Sequence, residues 1–376
     1  MHIPYGRQSI SPEDIEAVIS ALGSEFLTTG PEVEKFEAAI SGISETNSSV
    51  VVSSGTAALH CAYFAADIQP GDEVITTPLT FVATAAMASM FGATIKFADV
   101  QPDTGNIDPE SVKALITSKT KVIAGVDYAG HPVDIDELKQ IANEAGALFL
   151  EDAAHSIGST YKGRPVGKDA DLTAFSFFPT KNLTTGEGGA VSSQNPILAQ
   201  RAKQFRMHGL VRDPGRMREP NVGPWHQEVH HFGLNYRLPD VLCALGSSQL
   251  ARIQKFKSSR SRIFEKYADG LGSIDWITLP TKRDYVDPMW HLYPIRVPCE
   301  FRLPLFEFLR KSGVNVQVNY IPAYWHPVYE DMGYRKGISP IAESYYLSEI
   351  SLPMYSDLGE VNQDRVIELL RSFKKI

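Results

Sequence analysis

The sequence predicts an α/β protein with a mostly parallel central sheet and a smaller C-terminal α/β domain. Three observations predict it. Short β-branched runs alternate with apolar, helix-periodic stretches between residues 49 and 177. The chemically interesting residues fall just after those runs, where ligands gather in such sheets. Beyond about residue 250 the alternation thins, after a long charged helical stretch over Gln249–Gly270. Strands alternating with helices put helices on the faces of a parallel sheet. A chain of 376 residues is long enough for two domains, expected over 1–250, with an N-terminal arm, and over 251–376.

The elements follow in order. An irregular arm leads to a helix over Pro12–Leu22, a polar turn and a second helix from Pro31. Strands are expected at Ser49–Ser53 (SVVVS), Glu73–Thr77, Thr94–Phe97, Lys121–Val126, Ala147–Glu151 (ALFLE) and Leu172–Phe177. Helices are expected between them at Thr56–Ala66, Ala83–Phe91, Pro109–Ser118 and Ile135–Ala145.

Composition narrows the function classes. The net charge of −8 argues against non-specific nucleic-acid binding, which needs a basic footprint. Three scattered cysteines, Cys61, Cys243 and Cys299, make neither a disulfide framework nor a metal knuckle. They suit a reducing compartment. With no apolar run long enough for a bilayer and no basic-then-apolar start, a cytoplasmic enzyme with no membrane contact is expected.

Three segments carry chemistry. Ser53-Ser54-Gly55-Thr56-Ala57-Ala58 joins a strand end to a helix start, where small residues and free amides make an anion site. A plain N-cap explains the same residues. Glu151-Asp152-Ala153-Ala154-His155 follows the apolar strand ALFL, so Asp152 either touches a ligand or caps the next helix. Phe175–Lys181 delivers a lysine into a turn rich in Gly and Thr (NLTTGEGGA), where a desolvated amine becomes a nucleophile; the alternative is a surface lysine. Together the three fit one ligand, pyridoxal phosphate (PLP): amides for the phosphate, an aspartate for the pyridinium nitrogen, a lysine for the aldehyde. Phe81, just after a strand, suits an aromatic cover for the ring, or else a core position.

In these residues the chain resembles the DegT/DnrJ/EryC1/StrS sugar aminotransferases, of the fold type I PLP class. The matching stretches include FLTTGPEVEKFE, VVSSGTAALH, DEVITTPLTFVATA, LFLEDAAHSIGSTYKG, FSFFPTKNLTTGEGGAV, GLNYRLPDVLCALGSSQL and EISLPMY, and they run nearly end to end. The resemblance implies that Lys181 bonds the cofactor, Asp152 partners its ring nitrogen and His155 lies beside the ring. It implies Thr56, Ala57 and Ser176 at the phosphate, Phe81 over the ring, and Asn235 reaching the phosphate of a neighbouring subunit's cofactor in a homodimer with shared sites. Tyr5, Phe26, Leu27, Thr28, Thr29, Ser54, Gln317, Val318, Asn319 and Tyr320 fall in segments implied to contact the sugar nucleotide. Narrower stretches, among them VDYAGHPVDID and VQVNYIPAYWHPVY, are similar to the branch of the family that serves pseudaminic-acid synthesis. They imply amination at C4 of a UDP-linked 4-keto-6-deoxy-N-acetylhexosamine, with L-glutamate as donor. In one departure, the relatives carry a lysine for the nucleotide near Ser339-Pro340-Ile341, whereas here the nearest, Lys336, is offset.

Rival readings remain. His226, His230 and His231 invite a metal, but no acidic third ligand sits at a familiar spacing and no metal is expected. A sugar 3-dehydratase on this scaffold carries histidine where Lys181 stands. A non-catalytic sensor on the same fold would be marked by loss of Lys181 or Asp152, and both are present. Another nucleotide keto-sugar, aminated at C3 or C4, also fits. The basic segment 206–218 is either a guide for the diphosphate or a solvated loop.

Overall fold

The computed structural model describes residues 2–374; Met1, Lys375 and Ile376, which end the two expected domains, lie outside the described residues. The central sheet has seven strands: β1 (Ser48–Val52), β2 (Glu73–Thr76), β3 (Thr94–Phe97), β4 (Thr120–Val126), β5 (Leu148–Asp152), β6 (Leu172–Ser176) and β7 (Gly189–Ser193). Their spatial order is β1-β7-β6-β5-β4-β2-β3. Pairs from β3 to β6 are parallel, while β7 runs antiparallel to both β6 and β1. The strands are buried on both faces, which is why they read as near-continuous apolar runs.

Two expectations needed correction. Strand β7 (GAVSS) escaped the sequence reading because its residues are small and lack a β-branched run; burial against its neighbours, not propensity, makes it a strand. The single long helix expected at Gln249–Gly270 is two, Asp240–Ala251 and Ile253–Leu271, divided at Arg252 (φ −102°, ψ 9°). The Arg252 guanidinium turns inward to pair with the fully buried Asp14. Asp14 also accepts from Ser248 Oγ and Gln249 Nε2, both at 2.6 Å, and closes a capping box with Ser11. The helix Pro12–Leu22 is thereby tied to the helix Asp240–Ala251.

Apolar clusters line both faces of the sheet. The helices Gly55–Ala65 and Ala83–Met90 cover one face, and Ile135–Ala145 the other. A further cluster gathers Tyr267, Tyr293, Leu309 and Leu370 around the antiparallel pair Tyr293–Arg296 and Glu349–Leu352. Ile3 joins that cluster from the N-terminal arm, through a bridge to Val314. Among the described residues, no helix is long and apolar enough to cross a membrane.

Candidate active site

A cavity of about 540 Å³ opens beyond the C-terminal ends of the central strands, within the range of small-ligand sites. Ser54, extended at φ −166°, caps the helix Gly55–Ala65, and its Oγ accepts from Ala57 N at 3.0 Å. Both sequence readings of this turn therefore hold in part: Ser54 is an N-cap, and Gly55 and Thr56 line the cavity with first-turn amides that lack a helical carbonyl partner. Ala57 is buried and its amide is taken by the cap. Gly55 is required here, because a Cβ would lie 2.7 Å from Ser176 Cβ at the end of β6. That approach brings the Ser176 hydroxyl to the helix start.

Asp152 ends β5 and is buried. Its Oδ2 accepts from Thr84 Oγ1 at 2.6 Å and its Oδ1 from Ala154 N at 3.2 Å, so it caps a turn and not a helix. Burial raises its pKa, while the hydrogen bonds and the charge of Lys181 oppose the shift. Lys181 sits in the connection between β6 and β7, an antiparallel return that holds the lysine over the strand ends. Asn182 Nδ2 donates to the carbonyls of His155 (2.5 Å) and Met289 (3.0 Å), which fixes the turn. Burial pushes the Lys181 amine down to about 8, and Asp152 pulls it back up. The Lys181 amine is buried in the cavity wall, so it is not the surface lysine of the alternative reading, and among the described residues it has neither a hydrogen bond nor an ion pair.

Aromatic and imidazole rings complete the wall. The His155 ring lies 4.3 Å from that of His291 and is nearly parallel to Tyr320 (24°), whose hydroxyl is 3.3 Å from His155 Nε2. Burial holds both imidazoles well below the ordinary pKa, helped by Lys181. His155 Nδ1 and His291 Nδ1 are buried without a partner. Phe81 is 60% exposed, which excludes the core alternative, and its ring stands edge-on to Tyr320 at 6.4 Å. An amide-lined helix start, a buried carboxylate, a lysine amine brought down to about 8 and unpartnered imidazole nitrogens around one cavity fit PLP, and they do so without any cation-anion pair filling the space between Asp152 and Lys181.

The structure brings Tyr5, Ser54, Thr56, Phe81, Asp152, His155, Ser176, Lys181, Gln317, Asn319 and Tyr320 to this cavity. Val318 lies in the same segment without lining it. Phe26–Thr29 is an exposed turn held to Asp240, and Asn235 is exposed and outside the cavity of its own chain. Lys336 lies over the Trp325 ring at 4.0 Å. Arg206 leaves the basic segment altogether: it is buried and paired with Glu37 at 2.6 Å, whereas residues 212–216 are exposed. His226 and His230 meet Glu228, and among the described residues no group of three metal-ligating side chains forms. Sequence reasoning took Gly55 only as a small residue of the anion turn and gave no role to Thr84, inside DEVITTPLTFVATA, or to His291, the first residue of HLYPI.

Behind the site lie two fully buried carboxyls, Asp127 and Glu151, with no ion pair to either among the described residues. Asp127 accepts from Ser156 Oγ (2.5 Å) and Val133 N (2.9 Å), and Glu151 Oε2 from Gly167 N (2.9 Å). Burial pushes Asp127 up to about 7 and Glu151 well above its ordinary value, with the Asp127 charge raising Glu151 further. Because folded-state values exceed unfolded ones near ~4, the pair's contribution is present in acid and lost as pH rises through about 7. Melting temperature is therefore expected to fall from mildly acidic to mildly alkaline buffer, and Glu151→Gln to flatten that slope. An unchanged slope in the variant would remove the pair as its source.

Comparison with known proteins agrees with this geometry. The model of the DegT/DnrJ/EryC1/StrS aminotransferase family matches residues 8–371. The UDP-4-amino-4,6-dideoxy-N-acetyl-beta-L-altrosamine transaminase of Campylobacter jejuni (strain 81-176) is 37% identical over 387 residues, covering 99% of each chain. Among solved structures, PseC of Helicobacter pylori, an aminotransferase involved in the biosynthesis of pseudoaminic acid, superposes with a TM-score of 0.92 at 32% identity over 99% of both chains. Spr1654 of Streptococcus pneumoniae in its PMP form gives 0.92 at 30% identity over 98% of both chains.

Proposed function

We propose, from the premise that this chain belongs to the DegT/DnrJ/EryC1/StrS aminotransferase family and is a PLP-dependent sugar-nucleotide aminotransferase, that it moves an amino group from L-glutamate to C4 of a UDP-linked 4-keto-6-deoxy-N-acetylhexosamine, in pseudaminic-acid precursor synthesis. The observation that carries the reading is Lys181 and Asp152 facing one cavity, unpaired with each other, at the foot of a capped helix start. The C. jejuni and H. pylori relatives, similar to this chain over nearly its whole length, support the choice of sugar.

Bound PLP supplies an electron sink that makes the donor's α-proton removable. The chain's own residues do the rest in this reading. The Gly55 and Thr56 amides and Ser176 hold the phosphate, with Ala57 fixing the turn through Ser54. Asp152 holds a proton at the ring nitrogen, and Thr84 orients its carboxylate. Lys181, with a pKa near 8, moves the proton between donor carbon and cofactor as base and then acid. Phe81 and Tyr320 cover the cavity, while Tyr5, Gln317 and Asn319 meet the sugar.

The same reading makes the enzyme a homodimer in which Asn235 serves the neighbouring site. Exposed Ile15, Ile19 and Leu22 on one helix stripe, and exposed Trp225 and Phe232 in the segment that leads to Asn235, support such an interface. It divides the chain near residue 250, supported by the apolar cluster around Tyr267 and Tyr293. Free Cys61, Cys243 and Cys299 fit a cytoplasmic, reducing setting.

The test is spectroscopic. L-glutamate is expected to bleach the visible band of the PLP-loaded protein, and the UDP-4-keto-sugar to restore it. Recovery only with a different keto-sugar would replace the substrate assignment, and a protein that never takes up PLP would remove the catalytic one. Charge reversal at Arg216 and Arg218, both exposed, is expected to leave the KM for the sugar nucleotide unchanged, as for a solvated loop. A KM rise of about tenfold would make the segment a diphosphate guide.

A further inference from the structure

Glu349 is fully buried at the start of the strand Glu349–Leu352, with no ion pair among the described residues. Its Oε2 accepts from Asn319 N at 2.7 Å, and its Oε1 accepts from Ser351 Oγ. Ser351 has one hydroxyl proton. Giving it to Glu349 leaves the oxygen as an acceptor, and Asn319 Nδ2 donates to it at 3.0 Å. The second Nδ2 proton goes to Tyr5 Oη at 2.7 Å, and Tyr128 Oη donates to the Asn319 carbonyl at 2.6 Å. Every polar group of Asn319 is thus engaged except Oδ1, in a residue that lines the cavity. Burial raises the Glu349 carboxyl to about 8, against the Ser351 and Asn319 donors that favour its ionised form, so the chain of hydrogen bonds runs in this direction once the pH exceeds that value.

We propose that Glu349 is a positioning residue for the sugar half of the reaction: through Ser351 it turns the amino end of the Asn319 amide inward and keeps Oδ1 available to accept from an O–H or N–H of the sugar. The proposal rests on the sugar-nucleotide reading above. Glu349 touches neither cofactor nor substrate. Its substitution by glutamine supplies Ser351 with a donor, which frees the Ser351 proton to go to Asn319 Oδ1 and lets the amide turn over. Ser351→Ala removes the relay and leaves Glu349 in place.

The experiment, run at about pH 9 so that Glu349 is ionised, titrates the UDP-4-keto-sugar calorimetrically into PLP-loaded protein, a form in which the cofactor carries no amino group to transfer, and separately follows bleaching by L-glutamate. Glu349→Gln and Ser351→Ala are each expected to weaken sugar binding by about tenfold, the scale of one hydrogen bond to a committed partner, with the glutamate step within about twofold of wild type. Wild-type sugar affinity in folded Ser351→Ala overturns the proposal, and so does an equal loss in both half-reactions, which would mark a general structural role. If the Glu349 variant does not fold, Ser351→Ala decides alone. Wild-type protein that binds no UDP-keto-sugar overturns the substrate reading and this proposal with it.

Discussion

Lys181→Ala is expected to fold normally and to lose turnover by about 10⁴-fold or more, the upper range for a single acid–base group compounded by loss of covalent attachment. The fold survives because the Lys181 amine makes no hydrogen bond or ion pair among the described residues, and the turn is held instead by Asn182 and by Thr184, whose Oγ1 donates to Phe177 O at 3.1 Å. Removing a buried, unpaired amine gives up no partner, so the melting temperature is expected to stay level or rise slightly. The check is paired: thermal unfolding beside turnover and the visible spectrum. Activity near that of the wild type in a well-folded variant would take the chemistry away from Lys181.

Asp152→Asn is expected to reduce turnover by about 10²–10³-fold, the usual cost of deleting one preorganised electrostatic partner in a water-poor site. Folding is expected to persist, because the Thr84 hydroxyl can turn from donor to acceptor against the new amide while it keeps Thr80 Oγ1 at 3.0 Å. The readout that separates chemistry from packing is the glutamate step, which should slow by the same factor as overall turnover, with PLP still bound. A variant that bleaches with glutamate at the wild-type rate would show that the carboxylate charge is not needed.

How much of this was legible before folding differs from residue to residue. Lys181, Asp152 and Ser54 stood out because each follows an apolar strand, and strand ends in a parallel sheet are where ligands bind. Strands β1 to β6 announced themselves by β-branched or apolar runs, but β7 did not, since GAVSS becomes a strand only through the neighbours that bury it. The inward turn of Arg252 toward Asp14, and of Arg206 toward Glu37, reads in the chain as ordinary surface charge. His291 and Glu349 open the stretches HLYPI and EISLPMY, but no local pattern gives either residue a role. His291 reaches His155 from 136 positions away, and Glu349 reaches Asn319 across 30.

The sequence by itself determined the alternation of strands and helices, the cofactor chemistry and the residues that serve it, because each depends on short-range order: period, cap and the residue after a strand. The tertiary structure alone decided the electrostatics. Lys181 is brought to about 8, Asp127 to about 7, and the imidazoles of His155 and His291 are kept neutral by burial, which is a property of what the rest of the chain packs around them and is written at no single position.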